Sequence, residues 1–247
     1  MKIEQGDTVL LGQHRLYCGN SLELTSVWKA LNEKKASMLF TDPPCMIEYA
    51  PAKTYRGAVC HRASTFEQIQ GDDKSFDYAQ FLKIVSSGII EGATYICATN
   101  SNFNQLWEWS NKTFERQPVV IIWIKDNFVI GMRDYHSNYE LVFYNYFKEK
   151  KWRGGKNQTD TWRIAKPDVN KYLHPTQKPI ELAKRAIENS SDKGDIVLDL
   201  FAGSGTTLIA SELTGRRCAA IEISASFCET IVKRWENLSG EKAVKLK

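Results

Sequence analysis

The chain has 247 residues, 43 % of them hydrophobic, and carries a formal net charge of +4. This length allows one large α/β domain or two small ones, with enough apolar residues for a sizeable core. No run of about 18 apolar residues occurs, which excludes a membrane-spanning helix. The modest positive charge permits contact with nucleic acid without requiring it.

The first seven residues lack the apolar core of a signal peptide, so the cytosol is the expected compartment. The six cysteines contain no Cys-x-x-Cys pair, and in a cytosolic chain we expect them to be reduced and mostly buried. Cys60-His61 together with Cys45 would offer too few ligands for a metal ion. We therefore expect no metal.

Short apolar, β-branched or aromatic runs predict seven buried strands. They cover residues 15–18, 36–41, 93–99, 118–123, 140–146, 195–201 and 217–223. Helical periodicity lies between several of them, with apolar faces around residues 78–89, 103–114, 180–187 and 227–238. Strands that alternate with helices predict an α/β fold with a mostly parallel sheet covered on both faces. Without repeats or a low-complexity linker, residues 1–247 are expected to form a single domain, with a loop-rich insertion at about 46–75.

A double proline ends the second predicted strand. The apolar run 38–40 leads through Thr41 into Asp42-Pro43-Pro44-Cys45. Prolines donate no backbone hydrogen bonds and hold φ at about −65°, so the strand ends in a stiff corner. The Asp42 carboxylate and the Pro43 carbonyl become two fixed acceptors, which suit an exocyclic amino group with two N–H donors.

A glycine turn follows the strand at 195–201. Phe201-Ala202-Gly203-Ser204-Gly205 leads from Asp199 into a helix that opens at Thr206. The turn lacks the Gly-Lys-Ser/Thr of a P-loop and the third glycine of a dinucleotide fingerprint. Glu222 ends the next strand, where a carboxylate can accept both hydroxyls of a ribose. The pattern therefore fits a nucleoside without a pyrophosphate, and an ordinary strand–turn–helix connection is the alternative.

Three motifs together resemble the amino-group DNA methyltransferases that use S-adenosylmethionine. They are the Asp42-Pro43-Pro44 corner, His174-Pro175-Thr176-Gln177-Lys178-Pro179, and the glycine turn. Because the corner precedes the turn, the chain looks like the circularly permuted β group. Residues 6–20 and 235–244 resemble the two ends of a phage and bacterial branch found beside ParB-like nuclease domains. The resemblance runs almost from end to end.

The resemblance implies a Rossmann-like seven-stranded methyltransferase fold with one antiparallel strand. It also implies a binding site for S-adenosylmethionine, with the turn around the methionine part, Glu222 on the ribose and Lys178 as counter-charge for the methionine carboxylate. An exposed lysine at a helix start is the alternative for Lys178. Asn20 stands where the family usually has an acidic residue near the adenine. The implied cofactor residues are Asn20, Thr41, Asp42, His174, Thr176, Lys178, Asp199, Phe201, Ala202, Gly203, Ser204, Gly205, Thr206, Glu222 and Ile223.

For the DNA, the resemblance implies a base pocket around residues 123–136 and a small target-recognition region at about 147–172. An aromatic hairpin packed in the core is the alternative for the first segment. Basic residues in segments 53–62 and 148–156 are expected to contact phosphates, unless they are solvated loops. The candidate substrate residues are Tyr49, Tyr55, Trp123, Arg133, Tyr135, Trp152, Arg153 and Arg163.

The chain departs from the family pattern at Cys45, where an aromatic ring usually stacks on the extruded base. Such stacking contributes about 1–3 kcal/mol per base. Tyr49 or Tyr55 could supply the ring instead, the target could be unpaired or weakly paired, or activity could be low or lost. No feature beside Cys45 favours a thiolate nucleophile.

The predicted reaction is methyl transfer to a flipped base, with adenine N6 favoured because Asp begins the corner. Cytosine N4 is the alternative, as is a catalytically weak or silent DNA-binding relative. A protein-glutamine methyltransferase also uses a Pro-Pro corner but normally places the cofactor turn first. DNA is the expected partner, a membrane is not, and a homodimer stays open by analogy with the family.

Overall fold

The computed structural model describes residues 1–44, 76–126, 134–165 and 178–246. Ten strands and six helices lie in these residues, and the strands form one sheet. The strands are β1 (Thr8–Leu11), β2 (His14–Cys18), β3 (Ala36–Thr41), β4 (Ile90–Ala98), β5 (Val119–Ile124), β6 (Tyr139–Tyr146), β7 (Thr161–Arg163), β8 (Ile196–Asp199), β9 (Arg217–Glu222) and β10 (Val244–Lys245). The helices are α1 (Leu24–Leu31), α2 (Tyr78–Val85), α3 (Phe103–Thr113), α4 (Ile180–Ser190), α5 (Thr206–Thr214) and α6 (Ala225–Ser239).

The strand order is β10-β1-β2-β9-β8-β3-β4-β6-β5-β7. The seven predicted strands are the consecutive stretch from β2 to β5 in this order. Within that stretch β6 is antiparallel to both of its neighbours, and the other pairs are parallel. The prediction of a mostly parallel α/β sheet is confirmed. Three short strands lie outside the predicted stretch, with β1 and β10 beyond β2 and with β7 beyond β5.

The elements that the sequence patterns missed are short. β1, β7 and β10 have four, three and two residues, too few for a clear alternation. β4 also begins at Ile90, three residues before its predicted start. Gly92 interrupts the pattern there, because a Cβ at this position would clash with the Ser37 carbonyl oxygen where the β3–β4 register shifts.

Helices cover both faces of the sheet. Alternate residues of β3 point to opposite sides, as the pleat of a strand requires. Leu39 packs in a core with α1, α2 and α3, whereas Met38 and Phe40 pack in a core with α4. A third cluster joins α5 and α6 to β1, β2 and β9. No described helix is both long enough and apolar enough to cross a membrane.

Candidate active site

The carboxyl ends of β3, β8 and β9 lie side by side at one edge of the sheet, called here the carboxyl edge. β8 pairs in parallel with both β3 and β9. Asp42 directly follows β3, while Asp199 and Glu222 are the last residues of β8 and β9. Open α/β sheets bind their ligands outside the carboxyl ends of their strands, at a crevice of this kind. The fold therefore brings the Asp-Pro-Pro corner and the glycine turn to neighbouring positions.

A hydrogen bond joins the two motifs directly. Thr41 Oγ1 donates to Asp199 Oδ1 at 2.9 Å, and the Leu200 N–H donates to Thr41 Oγ1 at 3.2 Å. Asp199 Oδ1 also accepts from the Phe201 N–H at 3.1 Å, and its Oδ2 accepts from Thr207 Oγ1 at 2.6 Å. Burial raises the pKa of Asp199 to about 6, although these donors favour its ionised form. Both oxygens of Asp199 are engaged within the chain, so this residue holds the start of the turn in place.

The turn itself requires glycine. Gly203 and Gly205 have φ values of 53° and 83°, in the left-handed region that favours glycine. A Cβ on Gly205 would lie 3.0 Å from the Ile231 side chain of α6. The Gly205 N–H donates to the Ala202 carbonyl at 2.7 Å, and α5 begins at the next residue. The turn is therefore tight and places the first turn of α5 at the carboxyl edge.

Glu222 forms the acidic rim of the turn. Its Oε2 accepts from the Gly203 N–H at 2.7 Å and its Oε1 from the Ser224 N–H at 2.8 Å. Burial raises the pKa of Glu222 to about 7 against these two bonds. Asn20 lies at the same edge, because it follows β2, whose Cys18 is in register with Glu222. The Asn20 side chain accepts from the Leu22 N–H at 3.0 Å.

Four charged side chains of alternating sign extend from the corner across the ends of the neighbouring strands. We call Asp42, Lys178, Glu140 and Lys125 the charged row. Lys178 Nζ lies 2.5 Å from Asp42 Oδ2 and 3.3 Å from Glu140 Oε2. Lys125 Nζ lies 2.6 Å from Glu140 Oε1. The Lys178 ammonium is thus shared between two carboxylates of the chain itself, and its role as counter-charge for the methionine carboxylate stays a prediction.

Comparison with known proteins decides the family. Residues 36–233 match the N6/N4 methyltransferase family model, which is described as DNA methylase. The chain belongs to this family. One relative is the Type II methyltransferase M2.MboI of Moraxella bovis, which is 27 % identical over 91 % of this chain and 88 % of its own length. The protein is therefore a DNA methyltransferase of the N6/N4 family.

Solved structures support the same fold. The crystal structure of the M1.HpyAVI-SAM complex matches 89 % of this chain and 98 % of its own, with a TM-score of 0.65 and 22 % identity. PvuII DNA methyltransferase, described as cytosine-N4-specific, matches 94 % of each chain with a TM-score of 0.62 and 16 % identity. At these identities the likeness concerns the fold alone.

In this DNA methyltransferase, the described candidates for cofactor binding and catalysis share the carboxyl edge. These residues are Asn20, Thr41, Asp42, Pro43, Pro44, Lys178, Asp199, Phe201, Ala202, Gly203, Ser204, Gly205, Thr206, Glu222 and Ile223. Two of them have further contacts that favour support of the turn. The ring of Phe201 packs 5.6 Å from those of Phe76 and Phe81, and Ser204 is buried with its carbonyl bonded to Arg234.

The candidate substrate residues that the structure describes do not lie together. Trp123 is 1 % exposed in the core, where its indole N–H donates to the Ile164 carbonyl, so the alternative of an aromatic packed in the core describes it. Tyr135 is 92 % exposed. Arg163 ends β7 in register with Ile124, at the same edge as Asp42. Among the candidates that the structure describes, Arg163 is thus both exposed and at the end of a strand on the carboxyl edge.

Trp152 and Arg153 lie at the opposite edge of the sheet, called here the amino edge. The backbone N–H of Arg153 donates to the backbone carbonyl of Asn189 in the last turn of α4. The Arg153 guanidinium pairs with Asp192. Lys151 pairs with Asp195, directly before β8 begins. Trp152 and Arg153, predicted as contacts to bases or phosphates, therefore lie one strand length away from Asp42, and their contact with DNA stays a prediction. The described part of the predicted recognition region, residues 147–165, thus has residues at both edges.

Several predictions concern residues outside the described ranges. They are Cys45, Tyr49, Tyr55, Arg133, His174 and Thr176, together with the insertion at about 46–75. Conversely, Glu140 was not predicted as a site residue, and Lys125 was included in the predicted base-pocket segment 123–136 without being singled out. Their signal was a charged side chain beside an apolar strand at the carboxyl edge. For antiparallel β6 that position is near the strand's start, where such a residue is easily overlooked.

Proposed function

We propose that the protein transfers a methyl group from S-adenosylmethionine to the exocyclic amine of a flipped DNA base, and that the base is adenine. The observation that carries the proposal is the 2.9 Å hydrogen bond between Thr41 and Asp199. It ties the double-acceptor corner to the glycine turn, so a base amine at one and a methyl donor at the other would be neighbours. Asp at the first position of the corner supports adenine N6, whereas cytosine-N4 relatives more often begin with Ser.

The residues at the carboxyl edge fit the cofactor. A carboxylate has about four lone-pair sites, and backbone N–H groups occupy one on each oxygen of Glu222. The remaining sites can accept the two ribose hydroxyls. The glycine turn allows the methionine part to approach the backbone closely, and the hydrogen bonds of Asp199 hold the start of that turn in place. When bound, the cofactor supplies a methyl group on a sulfonium, which is an activated electrophile with its own leaving group.

The chain's own residues prepare the amine. Its lone pair is delocalised into the base, so two acceptors that hold both N–H groups favour the pyramidal, nucleophilic nitrogen. The Asp42 carboxylate and the Pro43 carbonyl take these roles, and the two prolines fix their geometry. After transfer, the methylated amine carries one extra proton. Burial raises the pKa of Asp42 against the opposing charge of Lys178, which favours Asp42 as the acceptor of that proton.

The order of the motifs supports assignment to the permuted β group, because the corner at Asp42 precedes the turn at Gly203 in the chain. The base must leave the duplex to reach the corner, which costs a few kcal/mol. Arg163, which is exposed at the carboxyl edge, is a proposed phosphate contact. Association with a ParB-like nuclease domain and formation of a homodimer stay predictions from the resemblance.

The test is transfer of labelled methyl groups from S-adenosylmethionine to genomic DNA made free of modification by amplification. The labelled DNA is digested to nucleosides and analysed by mass spectrometry. N6-methyladenine is the expected product. N4-methylcytosine would correct the base and keep the reaction. Unlabelled DNA that the protein still binds would support the silent relative and overturn the proposal.

A further inference from the structure

The charged row spans four adjacent strands at the carboxyl edge. Asp42 follows β3, Glu140 is the second residue of antiparallel β6, and Lys125 directly follows β5. Lys178, just before α4, bridges Asp42 and Glu140 across the end of β4, which lies between β3 and β6. The ion pairs therefore connect the corner to a part of the sheet that the cofactor turn does not reach.

The row is mostly withdrawn from water. Its side chains are 7 % exposed for Lys125, 11 % for Lys178, 21 % for Glu140 and 24 % for Asp42. Buried ion pairs add little net stability, since desolvation offsets their attraction, but the loss of one member leaves an uncompensated charge. The four charges sum to zero, so each member needs the others. Such a set fixes one arrangement of side chains rather than strengthening the fold.

Glu140 stays ionised within the row. Burial would raise its pKa, but Lys178 and Lys125 together bring the pKa of Glu140 down to about 2. It is therefore not a proton acceptor at neutral pH, and the row is not a proton relay beyond Asp42. The role left for Glu140 is to share the Lys178 ammonium with Asp42, while Lys125 prevents Glu140 from taking that ammonium entirely.

We propose that Glu140 and Lys125 are positioning residues for methyl transfer. They hold Lys178 on Oδ2 of Asp42 and thereby leave Oδ1 to receive the amine of the base. The inference rests on the proposed function. Other titratable groups that face Asp42 are Asp199 of β8 and Cys97 of β4. Burial raises the pKa of the Cys97 thiol well above its usual value, so it adds no charge.

The two positioning residues should act on Asp42 with opposite sign. Removal of the Glu140 charge by Glu140→Gln takes away a like charge and lowers the pKa of Asp42. Removal of the Lys125 charge by Lys125→Met leaves Glu140 uncompensated, draws Lys178 toward it, and raises the pKa of Asp42. The double variant restores a neutral row, so the pKa of Asp42 should return toward that of the wild type. A residue that only stabilised the fold would give neither the opposite signs nor the restoration.

The experiment measures this pKa by carbon-13 NMR titration of the Asp42 carboxyl group and compares it with the pH profile of kcat at saturating cofactor. We expect the pKa, and the acid limb of the profile, to move by about one unit down in Glu140→Gln and up in Lys125→Met. We expect kcat to fall about 10- to 100-fold in each single variant, with cofactor affinity unchanged, and to recover partly in the double variant. Thermal unfolding identifies any variant that fails to fold, and the remaining variants still give the sign of a shift.

The matched control is Glu91→Gln, which breaks the exposed pair of Glu91 with Lys35 and should change neither the pKa of Asp42 nor kcat. Shifts of the same sign in both single variants, or none in either, would overturn the inference while an active wild type kept the proposed function. If the expected NMR shifts appeared but the wild type methylated no DNA, the geometry of the row would stand and the proposed function would fail. The two failures are therefore distinguishable.

Discussion

The two edges of the sheet carry similar residues in very different surroundings. The carboxyl edge has Lys178 between Asp42 and Glu140, and the amino edge has Arg153 paired with Asp192. The Lys178 side chain is 11 % exposed, whereas the Arg153 and Asp192 side chains are 51 % and 48 % exposed. Water screens the second pair, so the same chemistry has little consequence there. The two ion pairs therefore differ in burial rather than in residue type, and only the buried one is expected to shift the pKa of a site residue, Asp42.

The largest expected effect comes from removing the carboxylate of the corner. Asp42→Ala should lower kcat by about 10²- to 10³-fold, since one oriented acceptor for the developing charge is lost. Cofactor affinity should stay within about twofold, because Glu222 and the glycine turn are untouched. Single-turnover kinetics and calorimetry with S-adenosylmethionine separate the two quantities.

The control for Asp42→Ala is the carboxylate of the other edge. Asp192→Ala likewise leaves a basic partner, Arg153, without its counter-charge. It should leave kcat unchanged, because the pair is exposed and far from the corner. Turnover by Asp42→Ala comparable to that of Asp192→Ala would remove Asp42 from its proposed role and would erase the difference between the edges.

An intermediate effect is expected at Glu222, and it depends on pH. Burial raises the pKa of Glu222 to about 7, and hydrogen bonds from the ribose hydroxyls favour the ionised carboxylate. Protonation should therefore weaken cofactor binding, and for a single group of this pKa the dissociation constant should be about tenfold larger at pH 6 than at pH 8. Calorimetry across this range measures the slope.

Glu222→Gln identifies the group responsible. It should weaken binding at pH 8 and remove most of the pH dependence, because the amide does not titrate. Asp199 is the other candidate, since burial raises its pKa to about 6. An unchanged slope in Glu222→Gln would assign the titration to Asp199, and an unchanged affinity at pH 8 would contradict the ribose assignment.

The sequence predicted the central sheet and the corner because both have local signatures. Strand pairing ends at Asp42-Pro43-Pro44 and at the glycine turn after Asp199, wherever the fold places these segments. The edge on which a basic segment lies has no such signature. Trp152 and Arg153 follow β6, whose antiparallel direction carries the chain to the amino edge. Because β6 is antiparallel, Trp152 and Arg153 after its end lie away from Asp42. Glu140 near its start, which was not predicted, lies close to Asp42.

The smallest expected effect tests this difference between the edges on DNA. Arg153→Ala should change neither DNA affinity nor its salt dependence, because Arg153 lies at the amino edge and already pairs with Asp192. Arg163→Ala, at the carboxyl end of β7, should weaken binding to all sequences and reduce the slope of log affinity against log salt by about 1. Fluorescence anisotropy with one duplex at several salt concentrations measures both. Equal losses in the two variants would mean that the DNA also contacts the amino edge. The contribution of the charges around Trp152 to DNA affinity would then depend on contact with the duplex, and not only on how far the protein buries them.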